Sequence, residues 1–210
     1  DFMGTSGNDT LNGTNTTSGM NEQFAGGTGN DTMYGGGGAD VMYGAAGNDT
    51  FVLNADNVAK LARNTGNTTQ NIARINGGTG LDKIVLDGAG ITMDLTAIRS
   101  EVISGVEQLD ITGSGANTLK LNLYDVLDMG QSNTFDVNTG AVDTRKQLMV
   151  KGSQTGGANG KGDDTLVLTD LLNWSQSGTF SSGGHTYDVY NHNSAQLQLL
   201  VDQKVVVSAS

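Results

Sequence analysis

The stretch GGTGNDTMYGGGGADVMYGAAGNDTFVL, residues 26–53, repeats a Gly-rich hexapeptide every nine residues and sets Asp31, Asp40 and Asp49 at equal intervals. Two positions after each Asp stands an apolar residue, Met33, Met42 and Phe51. Turns between hairpin strands can carry a Gly-Asn-Asp sequence, but they have no reason to keep a nine-residue period. A flexible linker would not keep one either. The glycines are therefore read as serving a backbone geometry that other residues cannot reach.

That geometry has a chemical use. A Gly-rich hexapeptide can turn several carbonyls towards one centre, and the closing Asp adds a carboxylate. A hard cation such as Ca²⁺ takes six to eight oxygens at about 2.3–2.6 Å, from carboxylates and carbonyls alike. The last three residues of each unit read as a short strand whose middle side chain points inward. Two units make one coil of a parallel solenoid, so that loops 18 residues apart stack at roughly 4.8 Å.

Further copies flank the block. GTSGNDTLN begins at Gly4, with Ser6 in its loop and Asp9 closing it. Asp9 and Asp31 are 22 residues apart, two periods plus four, so the intervening GTNTTSGMNEQFA is expected to be a degenerate repeat with a small insertion. Downstream come GGTGLDKIV from Gly77, with Thr79 and Asp82, the imperfect NGKGDDTLV from Asn159, and TGSGANTLK from Thr112, where Asn117 replaces Asp. An isolated copy needs a stacked partner loop to form a site, and ordinary turns remain open for Gly77 and Asn159. The uncharged Asn117 predicts an ion-free turn.

Bulk composition narrows the classes. The chain has 210 residues, 32 Gly, no Pro and no Cys, with a formal net charge of −11. An acidic chain of pI about 4.3 argues against nucleic acid or an anionic membrane surface as partner and favours cations. Without Cys there is no disulfide, thiol nucleophile or Cys zinc site, and bound metal is the alternative staple for an extracellular fold. No apolar run approaches the length of a membrane span. The opening Asp-Phe-Met, without an initiator or a cleavable leader, suggests a fragment of a longer protein. The chain is expected to be monomeric.

The units resemble the RTX nonapeptide family, whose pattern is G-G-x-G-x-D-x-U-x. The resemblance implies an all-β fold, a parallel β-roll or β-solenoid with short capping helices and a C-terminal β cap. It also implies that carbonyls of the first four loop positions and the Asp share each Ca²⁺ with the loop one coil away. Carried over, that names Gly26, Gly27, Thr28 and Gly29 with Asp31, and Gly35, Gly36, Gly37 and Gly38 with Asp40. It also names Gly44, Ala45, Ala46 and Gly47 with Asp49, then Gly4, Ser6 and Asp9, Gly77, Thr79 and Asp82, and Asp164. Ala45 departs from the glycine pattern and puts the backbone of its loop in doubt.

Beyond the repeats, the sequence divides at 1–53, 54–71, 72–169 and 170–210. Segment 54–71 holds NADNVAKLARNTGN, with Val58 and Leu61 at helical spacing and Gly66 placed to end the helix. It is predicted to close the apolar end of the solenoid. From Ile72, KIVLDG, GITMDL, VEQLDI, NTLKLNL, KQLMVKG and DTLVL predict a continuing solenoid or a sandwich, with helical turns at LTAIRSEV and LYDVLDMG. Segment 170–210 is richest in aromatics and predicts a cap over the last coil.

This layout resembles the C-terminal region of large RTX adhesins. That resemblance implies an uncleaved signal within roughly the last fifty residues, an ABC transporter of type I secretion as partner, passage unfolded through a low-calcium cytosol, and folding outside. Two other readings share the calcium: the tail of a secreted lipase or metalloprotease, and a ligand- or ice-binding solenoid carrying an outward Thr row at Thr10, Thr32 and Thr50, broken by Val41 and Lys83. No enzyme is expected within the chain, which lacks H-E-x-x-H and G-x-S-x-G motifs. His185 and His192 as a metal pair, Asp163 with Asp164 as paired acids, and Trp174 as a sugar platform are weaker alternatives to structural roles.

Overall fold

The computed structural model of the protein describes residues 1–14, 19–62, 73–137, 143–153 and 163–210. Part of the degenerate repeat (15–18), the helix end expected at Gly66, the strand restart at Ile72 and the loop 159–162 lie outside them.

The chain winds in coils. The first three place β1 (Phe2–Met3) and β2 (Thr10–Asn12), β3 (Gln23–Thr28) and β4 (Thr32–Tyr34), then β5 (Val41–Ala46) and β6 (Thr50–Leu53) on two faces. Helix α1 (Ala55–Ala62) follows. The next coils carry β7 (Arg74–Thr79), β8 (Lys83–Leu86) and β9 (Thr92–Asp94), then β10 (Ile103–Ser104), β11 (Gln108–Asp110) and β12 (Thr118–Leu121). After α2 (Leu123–Met129) come β13 (Gln131–Ser132), β14 (Lys146–Lys151) and β15 (Thr165–Leu168). A hairpin of β16 (Trp174–Ser182) and β17 (His185–His192) precedes β18 (Leu197–Asp202) and β19 (Val206–Ala209).

Three sheets result. One runs β1-β3-β5-β7-β10, the second β16-β17-β18-β14-β11-β8-β6-β4-β2 with β13 attached to β14, and the third β19-β15-β12-β9. Pairing between successive coils is parallel, and Thr10 stands opposite Thr32 and Thr32 opposite Thr50. The array is thus a two-faced roll for three coils and a three-faced solenoid thereafter, and a sandwich of separate sheets is not formed.

Parallel register stacks the inward side chains into columns. Leu11, Met33, Phe51, Ile84, Leu109, Val150 and Val201 line up through the long sheet. Phe24, Met42, Ile75 and Ile103 do the same on the first face, and Met93, Leu119, Leu166 and Val207 on the third. One core cluster runs from Phe24 to Val205. The divisions at 53, 71 and 169 therefore mark changes of local pattern within a shared core. A smaller cluster of Phe135, Met149, Tyr187, Val189 and Leu200 lies on the outer side of the long sheet.

Two sequence expectations need correction. Helix α1 does not close an end of the solenoid, because β7 and β8 continue the two faces beyond it with β5 and β6 as partners. It buries Val58 and Leu61 and lies against β9, at the point where the third face begins. The residues after α2 form the last coils themselves: β18 pairs with β14 and β19 with β15 in parallel, and only the hairpin lies outside the winding. As for the outward Thr row, Thr50 meets Lys83 in the next coil, while Val41 belongs to the other face, between Gln23 and Arg74.

Phe51 is fully buried between Met33 and Ile84. Replacing it by Ala removes a large side chain from a column that cannot collapse without shifting two coils. The expected loss is about 3–5 kcal/mol in denaturant unfolding with calcium present.

Candidate calcium sites

On one side of the roll the hexapeptide loops stack, and each Asp is tied to its neighbour. The backbone N–H of Asp9 donates to Asp31 Oδ1 at 2.8 Å, that of Asp31 to Asp49 Oδ1 at 2.8 Å, and that of Asp49 to Asp82 Oδ1 at 2.7 Å. The ladder ends at Glu107, whose Oε2 accepts from the N–H of Asp82 at 2.9 Å while Oε1 accepts from Gln131 Nε2 at 2.7 Å. One carboxylate oxygen per coil is thus fixed by a backbone donor.

The second oxygen is what identifies the site. Oδ2 of Asp31, Asp49 and Asp82 is buried and has no hydrogen-bond partner, and these residues are at most 1% exposed. An unpaired buried carboxylate oxygen is costly unless something positive is supplied. The glycines show where. A Cβ built on Gly26, Gly44 or Gly77 would collide both with Oδ2 of the Asp in its own loop and with the carbonyl oxygen of the first glycine one coil on, at Gly44, Gly77 and Gly105. Carboxylate and carbonyl therefore share one small space, open only because the residue beneath has no side chain.

Backbone conformation is shared from loop to loop, and the Gly29 and Gly47 N–H groups donate to the carbonyls of Ala46 and Thr79 one coil on. Gly27, Gly29, Gly47, Gly78 and Gly80 all have positive φ. Ala45 takes the same conformation, with φ 81°, and sits in register between Gly27 and Gly78. The doubtful loop is thereby shaped like its neighbours, at the cost of a left-handed non-glycine residue. Thr28, Ala46 and Thr79 follow in register and leave the strand at the same level. In the edge loop of Gly4 and Ser6, Asp9 Oδ2 accepts from the Thr5 N–H at 2.6 Å and from its hydroxyl at 2.9 Å.

Two other rows differ. On the opposite side of the roll, Asp40 Oδ1 accepts from the Glu22 N–H at 2.9 Å, but its Oδ2 accepts from Asn57 Nδ2 at 2.8 Å above Gly35. On the third face, Asp164 Oδ1 accepts from the Asn117 N–H at 2.9 Å and Oδ2 from the Ser153 N–H at 2.6 Å, so both oxygens are engaged by the chain. Asn117 itself is filled as an ion-free turn: its amide donates to the carbonyls of Gly88 and Ile111 and accepts from the Ile91 N–H.

The sequence reading passed over two features. The fifth loop position, treated as variable, carries a second ladder running the opposite way: Asn8 Oδ1 accepts from the Asn30 N–H, Asn30 from Asn48, and Asn48 from Leu81. The signal was the recurrence of Asn-Asp at 8–9, 30–31 and 48–49. Glu107 was missed because its loop, SGVE, carries neither the glycines nor the Asp.

The weaker candidates resolve by geometry. His185 and His192 are seven apart on β17 and so face opposite sides of the sheet. His185 Nδ1 is hydrogen-bonded to Asp202, and His192 packs edge-on against Trp174 in the interior. Trp174 is buried and donates to Asp170, so its ring is no exposed sugar platform. Among the described residues, no three His, Asp or Glu side chains converge as a metal cluster, in keeping with centres built from one carboxylate and several carbonyls. No helix of the described residues is long and apolar enough to cross a membrane.

Electrostatics sharpen the requirement for a cation. Burial pushes the carboxyl of Asp82 up to about 7, partly opposed by the Asp49 N–H and reinforced by the charges of Glu107 and Asp49. Burial likewise raises Asp40 to about 7, and raises Asp49 and Glu107. Carboxyls raised in the fold above their unfolded value near 4 stabilise it when protonated, and that contribution is lost as pH rises through about 7. Calcium-free protein is therefore expected to melt at higher temperature at pH 5 than at pH 8. A flat or rising profile over that window would contradict the assignment. Asp49→Asn keeps the backbone acceptor but removes the charge beside Gly77, and equilibrium dialysis should find one Ca²⁺ fewer than in the unaltered protein.

Comparison with known families agrees with this geometry. Residues 2–15 and 16–51 match the RTX calcium-binding nonapeptide repeat, in four copies. No curated protein matches the chain. The stacked loops of residues 2–51 are RTX calcium-binding nonapeptide repeats, and Ca²⁺ is the cation they take.

Proposed function

We propose that the chain is a calcium-dependent folding and type I secretion module of a large bacterial surface adhesin, kept unfolded where calcium is scarce and folded by it outside the cell. The observation that carries this reading is the column of buried, partnerless carboxylate oxygens at Asp31, Asp49 and Asp82. A fold with that column is penalised without cations and stabilised in proportion to the free calcium over the site affinity. The module acts by binding and folding, and no catalytic role is assigned to it.

The export reading draws support from the way the C-terminal segment is built in. Strand β18 lies between β14 and β17, and β19 is paired along its length with β15. Strand β18 is buried along its length, so a recognition signal that includes it is accessible to a transporter only before the solenoid forms, which fits folding deferred until calcium is met. The adhesin context rests on the resemblance of the whole layout.

Circular dichroism and Trp174 fluorescence, followed through a Ca²⁺ titration with Mg²⁺ as control, test the reading. Trp174 begins the hairpin at the far end of the long sheet, away from the calcium row, so a joint cooperative change in both signals with Ca²⁺ alone is expected. A folded spectrum that persists unchanged in chelator would overturn the switch. In export assays with a type I transporter, removal of residues 170–210 should abolish secretion.

A further inference from the structure

We infer that the side chain of Asn57 takes the place of a calcium ion on the opposite side of the roll, so that the most glycine-rich loop, residues 35–40, folds without one. The inference rests on the reading that the stacked row of Asp31, Asp49 and Asp82 binds calcium.

The motif alone gives Asp40 the same standing as Asp31 or Asp49, and the main-chain scaffold agrees: its Oδ1 accepts the N–H of the preceding coil's acid, here Glu22. The difference lies in Oδ2. On the calcium row that oxygen has no partner. At Asp40 it accepts from Asn57 Nδ2 at 2.8 Å, and the same amide nitrogen donates to the Gly38 carbonyl at 3.2 Å. A carboxylate and a loop carbonyl are the two kinds of oxygen an ion would gather, and one neutral amide satisfies both. Its Oδ1 accepts from the Gly37 N–H at 3.1 Å. A Cβ on Gly35 would run into this amide, whereas on Gly26, Gly44 and Gly77 it would run into the Asp oxygen and the carbonyl of the following loop.

Helix α1 delivers the plug. Asn54 Oδ1 accepts from the N–H groups of Asp56 and Asn57 at 3.0 and 3.1 Å and fixes the first turn. Val58 and Leu61 anchor the helix in the core, and Asp56 Oδ2 accepts from the Gly38 N–H at 2.7 Å. Asn57 is 3% exposed, so its donors are committed to the loop and not to water. On the third face an amide likewise fills the turn, although there Asn117 stands in the Asp position itself and spans two loop carbonyls. At Asp40, where the helix takes the place of a further loop, the row closes without calcium.

The test is calcium stoichiometry by equilibrium dialysis on the full chain, with circular dichroism to confirm folding in calcium. Asn57→Ala uncovers Asp40 Oδ2 and the Gly38 carbonyl and should bind one more Ca²⁺ than the unaltered protein. Adding Asp40→Asn should cancel that gain. An unchanged or reduced count in folded Asn57→Ala overturns the inference, a reduced count marking Asn57 as a ligand. If Asn57→Ala does not fold, Asn57→Asp retains the acceptor for Gly37 and decides in its place: one extra ion supports the plug and none overturns it. Absence of calcium binding by the unaltered protein would instead overturn the underlying reading of the first row.

Discussion

The column of carboxylates along one side of the solenoid is the constraint on which the remaining structure depends. Strand spacing brings successive Asp residues to about 5 Å, where two unit charges repel by roughly 3 kcal/mol at the effective dielectric of a protein. One backbone N–H per carboxylate compensates only part of that. The roll cannot pitch its coils apart, because the same spacing sets the hydrogen bonds of the sheets and the contacts of the inward columns. A divalent cation between loops offsets the conflict by pairing the second oxygen and cancelling the charge, and in the proposed function ion binding and coil stacking are one event.

From that row the architecture grows asymmetrically. The calcium side keeps tight hexapeptide loops as far as Asp82 and ends at Glu107, whose longer side chain is held by Gln131. The opposite side abandons them after residue 40: α1 follows β6, and from β9 onward the coils carry a third face. The apolar columns run through all the coils, and the later turns close with Asn117 and with an Asp164 whose oxygens are met by backbone donors. The solenoid passes from ion-stapled to self-satisfied along its length.

How much of this the sequence disclosed follows from what repeats. The nine-residue period fixed the parallel winding, the inward Met33, Met42 and Phe51, and the Asp row, since register and period are the same fact in a solenoid. Ala45 could not be judged from sequence because its cost depends on φ, not on composition. The fate of Asp40 was hidden because the group beside it comes from a helix outside the period. Glu107 joined the ladder through a loop with no motif, and the placement of α1 within the array depended on long-range pairing of β7 and β8 that a local helical pattern does not express.

The most direct measurement is an anomalous difference map from crystals grown in calcium. The account predicts peaks beside Oδ2 of Asp31, Asp49 and Asp82, stacked one coil apart, and none beside Asp40 or Asp164. A well-ordered roll with no density in that column would contradict the claim that the fold is held by cations between its loops.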